Sequence, residues 1–388
     1  MADSNSAARA DKAPILPPAT IGIIAGGQLG RMMGIAAREM GYKLAVLEPG
    51  NNSPLAQISD IEINANYNDR IGLEELLTMS DVVTYEFENI PYREIEEINA
   101  ANFGYLPQGH MPLKITQNRL REKDAVVECG FATAPYADVS DESKLRAKLG
   151  EIGYPSILKT VSGGYDGKGQ WRLRSENDLN TALEVIENTE CVLEGFVAFD
   201  KEISVIAARS TTGEVKAFPI FENEHKNGIL HLTTVPAAVS DIVAEKARVL
   251  ASELITKLDL VGTLAIEMFV VGDEIIVNEM APRPHNSGHP TIDACNVSQF
   301  EQHIRAICGL PLIDPVVVQP AIMVNLLGQH HDYALERWQT PEFAHGHLHL
   351  YGKDENLRDR KIGHLTFVNT NLCELQETVD AFLLNFPE

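Results

Sequence analysis

The 388-residue sequence predicts an α/β fold that passes to α+β toward its C-terminus. Three observations carry this. Between Ile21 and about Leu106, short apolar runs alternate with helical stretches, the pattern of βαβ units on a parallel sheet. From Tyr154 onward, strands follow strands around glycine-rich turns. Hydrophobic residues make up 44% of the chain and charged residues 22%, enough for two or three domains with a sizeable core.

The elements follow in order. IGIIAG (21–26) reads as a strand, LGRMMGIAAREMG as a helix and KLAVLE (43–48) as a second strand. DVVTYEF (81–87) is a further strand before the acidic helical run YREIEEINA. The first turn carries Ala25-x-Gly27-x-x-Gly30, one glycine short of the dinucleotide fingerprint G-x-G-x-x-G, with Glu48 near the place of a ribose-binding acid. An oxidoreductase reading therefore stays open at this point. Gln28 and Glu86 fall at the C-terminal ends of strands, where such sheets bind ligands, although capping explains them equally. ITQNRLREKDAVVECG (115–130) reads as one helix, closed by Gly130, that connects two domains. YPSILKT (154–160) and QWRLR (170–174) flank a glycine-rich turn. CVLEGFV, KEISVIAARS and EVKAFPI continue as strands, and a helix is expected around 239–257. TLAIEMFVV and EIIVNEM form a further pair of strands, and QFEQHIRAICG is a helix. After Pro311 and Pro315 come AIMVNLLG, HGHLHLYG, HLTFVN and one closing helix.

Bulk properties exclude several classes. A formal net charge of -23 argues against nonspecific binding to nucleic acid or anionic membranes. Local cations can still hold small anions. The five scattered cysteines contain no C-x-x-C and point to reduced thiols in a cytoplasmic protein. No apolar run approaches the ~20 residues of a membrane span. Residues 1–19 read as a flexible tail.

The chemistry concentrates in three places. TVSGGYDGKGQWRL (160–173) frees backbone N–H groups to approach phosphate, and Lys159 and Lys168 add charge. It is not a Walker A loop, because Ser162 and Gly169 stand where that motif needs glycine and Ser/Thr. A hairpin lid is expected. In TLAIEMFVVGDEIIVNEM, a turn centred on Asp273 sets Glu267 opposite Glu279, whereas a two-residue turn at Gly272-Asp273 shifts the pair to a diagonal. Facing carboxylates repel, and Mg²⁺ relieves that repulsion, with Asn278 close by. Arg283, His285 and His289 follow in APRPHNSGH, where an arginine can hold an oxyanion. HGHLHLYGK places His345, His347 and His349 on one strand face, a zinc possibility against the default of a satisfied strand. Lys353 and LRDRKIGH (357–364) form the densest basic patch.

Taken together, Lys159, the lid GGYDGKGQ, LEGFVAFDKEIS and the pair AIEMF…VNEMAPRPHNSGH resemble the ATP-grasp ligases. The lid and PRPHNSGH, with AGGQLGRM and RKIGHL, resemble those ligases that make 5-(carboxyamino)imidazole ribonucleotide in purine biosynthesis. The resemblance implies a Rossmann-like domain over 20–112, an ATP-grasp domain over 113–315 with its lid at about 135–197, and a C-terminal domain over 316–388. It implies ATP, Mg²⁺, bicarbonate and 5-aminoimidazole ribonucleotide as ligands, carboxyphosphate as intermediate, and a homodimer. By the same resemblance, Arg119 and Lys159 meet the ATP phosphates, while Gly164, Tyr165, Asp166, Gly167, Lys168, Gly169 and Gln170 fold over them. Glu194, Gly195, Phe196 and Val197 meet adenine, Glu202 the ribose, and His225 and Asn278 also lie at the nucleotide. Glu267 and Glu279 hold the metal. Arg283 and His285, with Tyr165 and Asp166, face the reacting groups. Tyr165, Asp166, Gln28 and Glu86 line the ribonucleotide side, and Lys353 with Arg360 (or Arg358) takes its 5′-phosphate. Formate-dependent glycinamide ribonucleotide transformylase shares this architecture and is the rival within the superfamily.

Overall fold

A computed structural model of the chain describes residues 13–101, 103–164 and 167–387. Residues 1–12 of the expected tail, and Tyr165 and Asp166 of the lid, lie outside the described residues. Residues 13–19 are not free. Ile15 N–H donates to the Cys308 carbonyl (2.9 Å), and Tyr42 Oη donates to the Ile15 carbonyl (2.7 Å).

The N-terminal sheet is parallel, in the order β3-β2-β1-β4, with β1 Thr20–Ile24, β2 Lys43–Glu48, β3 Ile61–Asn64 and β4 Val82–Tyr85. Its helices are α1 (Gln28–Glu39), α2 (Arg70–Met79) and α3 (Tyr92–Ala101). The single helix expected over 115–130 is two, α4 (Met111–Thr116) and α5 (Arg119–Glu128). Asn118 breaks the run because its side chain caps α5, accepting from Arg121 N–H at 3.0 Å.

The lid is a separate antiparallel sheet, β5-β8-β6-β7, built from β5 Tyr136–Asp138, β6 Ser156–Thr160, β7 Gln170–Leu173 and β8 Cys191–Gly195. Helices α6 (Glu142–Ile152) and α7 (Leu179–Ile186) close its own core around Leu145, Leu158, Ala182 and Leu193.

The third sheet has nine strands: β9 Lys201–Arg209, β10 Val215–Ala217, β11 Phe221–Lys226, β12 Ile229–Val235, β13 Gly262–Val271, β14 Glu274–Ala281, β15 Ala321–Leu327, β16 Gly346–Leu350 and β17 Lys361–Val368. Their order is β14-β13-β9-β11-β12-β15-β17-β16, with β10 on β9. The sheet therefore runs from β14 and β13 into the C-terminal strands without a gap, through β12 paired to β15. Helix α8 (Asp241–Lys257) packs the largest apolar cluster onto β9 and β13. Helix α9 (Gln299–Ile307) lays Phe300, Ile304 and Ile307 against Leu29, Met32 and Met33 of α1, joining the first sheet to the third. The C-terminal region adds an unanticipated helix, α10 (His331–Trp338), before the closing helix α11 (Leu372–Leu383).

Candidate active site

Three adjoining cavities run between the sheets. A lobe of about 300 Å³ lies between lid and central sheet, lined by Lys159, Gly167, Gln170, Glu194 to Val197, Glu202, His225 and Asn278. A central lobe of about 520 Å³ is lined by Gln28, Glu88, Glu122, Gly164 and Arg283. Arg119, Glu267, Glu279, His285, Asn286 and Lys361 line both. A third lobe of about 770 Å³ lies beyond Arg283 and is lined by Gly27, Gln28, Glu48, Tyr67, Glu86, Lys353 and Arg360.

In the first lobe, Glu194 is buried and its two oxygens meet Lys159 Nζ at 2.9 Å and Lys123 Nζ at 3.2 Å. Burial favours its neutral form, but the two lysines outweigh it and hold the carboxyl below its ordinary pKa. Glu194 is paired on both sides within its sheet, and the Gly195 and Phe196 N–H groups donate to the Pro135 and Pro155 carbonyls (2.8 and 3.2 Å). His225 Nδ1 bonds the Glu202 carboxylate. Burial disfavours the imidazolium, yet Glu202, Glu267 and Glu279 raise its pKa overall. The lid tip comes close to the Asn227-Gly228 turn, where a Cβ on Gly167 would sit 3.5 Å from Gly228 Cα. Lys168 is exposed and Gly169 takes φ 71°.

Glu267 and Glu279 are direct cross-strand partners, by a route different from either expected turn. The turn is the two-residue Gly272-Asp273 with Gly272 at φ 60°, which alone gives the diagonal. A β-bulge at Asn278 then inserts one residue and restores the pairing. The bulge also breaks alternation, so that Asn278 and Glu279 both line the first lobe. Burial, then the charge of Glu279, raises the pKa of Glu267. Arg119 Nη1 meets Glu279 Oε2 at 3.3 Å.

His285 Nε2 lies 3.4 Å from Glu267 Oε1. Burial, with Arg283 and Lys361, holds this imidazole well below its usual pKa, so it is neutral. Arg283 donates to the Glu88 carboxylate. Burial acts against charge on Glu88, but Arg283 keeps it ionised.

In the third lobe, Glu86 settles the question raised by Ala25-x-Gly27-x-x-Gly30. Its carboxylate accepts from Gly27 N–H (2.5 Å) and from Gly30 N–H at the start of α1. A dinucleotide pyrophosphate needs that same helix N-terminus. Here the chain's own carboxyl group fills it, burial pushing its pKa up to about 7 against the two N–H bonds, and a Cβ on Gly27 would collide with Glu86 Oε1. Ala25 takes φ 74° where the fingerprint has glycine. Glu48 accepts from Gly26 N–H (2.7 Å) and Tyr67 Oη (2.8 Å). Lys353 Nζ donates to Gln28 Oε1 (2.7 Å), while Arg360 rather than Arg358 lines the cavity.

The histidine run divides. His345 precedes β16 and lines a separate cavity of about 320 Å³. His347 and His349 meet the two oxygens of Asp293 at 3.4 and 3.0 Å. The rings of His349 and His364 stack with centroids 4.5 Å apart and planes 15° apart, and one ligand atom each from Asp293, His349 and His364 lies within 4.8 Å of the others. His289 is buried beside them and bonds Gln299 Nε2 at 3.3 Å. The arrangement is a clasp between the loop after β14 and the C-terminal strands.

Sequence reasoning missed Glu88, Glu122, Lys123, Asn286 and Lys361. Asn286 is 6% exposed, and neither end of its amide has a partner among the described residues. Glu122 accepts from Met280 N–H (2.5 Å), and burial, against Arg119, pushes it up to about 8. Glu122 stands three residues after Arg119 on one helix, a spacing that was legible. The partners across sheets were not.

Three family models match the chain in series: the ribonucleotide synthetase preATP-grasp domain over 18–117, the ATP-grasp domain over 124–300, and the phosphoribosylaminoimidazole carboxylase C-terminal domain over 321–378. With the lid above the central sheet, they define an ATP-grasp ligase. N5-carboxyaminoimidazole ribonucleotide synthase of Bacillus subtilis is 48% identical over 91% of this chain and 92% of its own. The enzyme of that name from Brucella melitensis is 46% identical over 92% and 98%. A crystal structure of an N5-carboxyaminoimidazole ribonucleotide synthetase with ADP superposes with a TM-score of 0.92 at 50% identity, covering 95% of this chain and 97% of that one. The Aspergillus clavatus enzyme with ADP and 5-aminoimidazole ribonucleotide does so with a TM-score of 0.87 at 30% identity, covering 94% and 97%. The chain belongs to the N5-carboxyaminoimidazole ribonucleotide synthase family.

Proposed function

We propose that this chain carboxylates 5-aminoimidazole ribonucleotide with bicarbonate at the expense of ATP, giving 5-(carboxyamino)imidazole ribonucleotide, ADP and phosphate. The observation that carries the reading is the series of three lobes, with Glu267, Glu279 and His285 shared by the first two and Arg283 by the last two. ATP takes the first lobe, bicarbonate the central one and the ribonucleotide the third. Lys159 and Arg119 meet the triphosphate, and Gly164 and Gly167 to Gln170 cover it. Phosphoryl transfer is chiefly positioning and charge neutralisation, which cations and lid amides supply.

The γ-phosphoryl group passes to bicarbonate, forming carboxyphosphate in the central lobe. The exocyclic amine then attacks its carboxyl carbon. The C–N bond forms, the C–O bond to phosphorus breaks, phosphate leaves and the amine gives up a proton. Arg283, fixed by Glu88, holds the carboxyl oxygens. Carboxyphosphate hydrolyses readily, so the lid's exclusion of water matters as much as orientation. Glu267 and Glu279, with Asn278, would hold Mg²⁺. Their opposed carboxylates are an all-oxygen donor set suited to that ion, which when bound neutralises phosphate charge. Gln28 and Glu86 line the ribonucleotide, and Lys353 and Arg360 take its phosphate. The family resemblance supports a homodimer. Five free cysteines support a reducing, cytoplasmic setting, and no helix among the described residues is long and apolar enough to cross a membrane.

The test is ADP release in Mg²⁺ with bicarbonate plus 5-aminoimidazole ribonucleotide, against formate plus glycinamide ribonucleotide. Turnover with the first pair is expected. Turnover confined to the second would replace this reading with the transformylase.

A further inference from the structure

Beneath the central lobe, a chain of buried polar side chains crosses the third sheet and ends on His285. Thr233 Oγ1 on β12 donates to Asn223 Oδ1 on β11 (3.1 Å). Asn223 Nδ2 donates to Ser204 Oγ on β9 (3.0 Å), and Ser204 Oγ donates to Ser287 Oγ (2.7 Å). Ser287 Oγ lies 2.9 Å from His285 Nδ1. Thr233, Ser204 and Ser287 are fully buried and Asn223 is 5% exposed, so water does not compete for these bonds.

Each hydroxyl has one proton, so the chain must run in a single direction. A backbone group fixes which. Ser287 N–H also points at His285 Nδ1 (3.3 Å), and an amide N–H cannot reverse its role. Nδ1 is therefore an acceptor, and the ring proton sits on Nε2, the atom facing Glu267 Oε1. We infer that Ser204, Asn223 and Thr233 are positioning residues that hold His285 as its Nε2–H tautomer, a hydrogen-bond donor to an anionic oxygen in the central lobe and not a base toward bicarbonate. The inference rests on the reading that bicarbonate and carboxyphosphate occupy that lobe. It adds that whatever takes the proton from bicarbonate is another group.

The experiment uses the full chain with ¹⁵N-labelled histidine. A long-range ¹H–¹⁵N spectrum, assigned by loss of one ring in His285→Asn, is expected to show His285 protonated at Nε2 alone. Ser204→Ala leaves Ser287 Oγ without its donor and free to accept from Nδ1, so it is expected to admit a fraction of the Nδ1–H tautomer against the Ser287 N–H that remains. It should also lower kcat for ribonucleotide-dependent ADP release about tenfold, the scale of one misdirected hydrogen bond, with KM for ATP unchanged. Asn223→Ala, an independent variant should the first fold poorly, is expected to do the same. The double variant should lose no more than either single one, since both cut one chain. A wild-type ring protonated at Nδ1 overturns the inference. So does a kcat loss with the tautomer unchanged, which is what mere packing damage gives. If the substrate assignment alone is wrong, the spectrum stands while the carboxylation assay is silent.

Discussion

His303 shows how much one buried side chain can carry outside the site. It lies on α9, fully buried. Its Nδ1 accepts from Thr263 N–H at 3.1 Å, and its Nε2 meets Thr84 Oγ1 at 2.8 Å, so one ring ties β4 to β13. Gly262, at φ 117°, leaves room for it, since a Cβ there would lie 2.8 Å from His303 Cε1. Burial lowers its pKa from 6.5 to about 3. In that window the unfolded chain binds a proton that the native chain refuses. The stabilising contribution is thus full above about pH 6.5 and drains away as the pH falls toward 3, by on the order of 4 kcal/mol. Urea midpoints from pH 7 to pH 4 should fall more steeply for the natural chain than for His303→Gln, and parallel slopes would refute the assignment. Nothing in QFEQHIRAICG marked this histidine, because its partners lie 40 and 219 residues away. Gln28 and Glu86, by contrast, were legible as strand-end residues. What the sequence hid was that Glu86 would occupy the anion site of α1 itself.

At the scale of elements, the β13–β14 hairpin separates what pattern reading can reach from what it cannot. Two acids on a pair of apolar strands were visible, and so was a turn near Asp273. The bulge at Asn278 was not, because a bulge is a compromise between a tight turn and the burial of both flanks, and composition does not mark it. The split of one expected helix into α4 and α5 has a similar cause: Asn118 is tolerable inside a helix but better as a cap. The turn itself is open to test. Gly272 takes φ 60°, and a Cβ added to it would meet nothing within 4 Å, so Gly272→Ala adds backbone strain and no clash. A loss of about 1–2 kcal/mol in denaturant unfolding is expected. Both KM values should be unchanged, since neither turn residue lines a lobe. A shift in KM for ATP would mean that the turn sets the geometry of the acids after all.

For the whole molecule, the feature that matters is that no one sheet owns the site. The N-terminal sheet supplies Gln28 and Glu86, the lid Lys159 and Glu194, and the nine-stranded sheet the acids, His285 and Lys361. Element order was legible from alternation, but the continuity of β12 into β15, which brings the basic patch beside α1, is a tertiary fact. Lys353 sits at that junction. Its Nζ reaches Gln28 Oε1 at 2.7 Å and also donates to the Lys361 carbonyl, so one cation bridges the first domain and the last. It lines the third lobe and neither of the others. If the 5′-phosphate binds there, Lys353→Ala removes a charged hydrogen bond from the ribonucleotide and nothing from ATP. KM for the ribonucleotide should rise about 10- to 100-fold, the range of a charge-assisted bond, while KM for ATP stays within about twofold. The mutation also cuts a contact between domains, so a control is built into the same data. A change transmitted through the fold would move both constants, and equal effects on the two substrates would remove the basic patch from the ribonucleotide site.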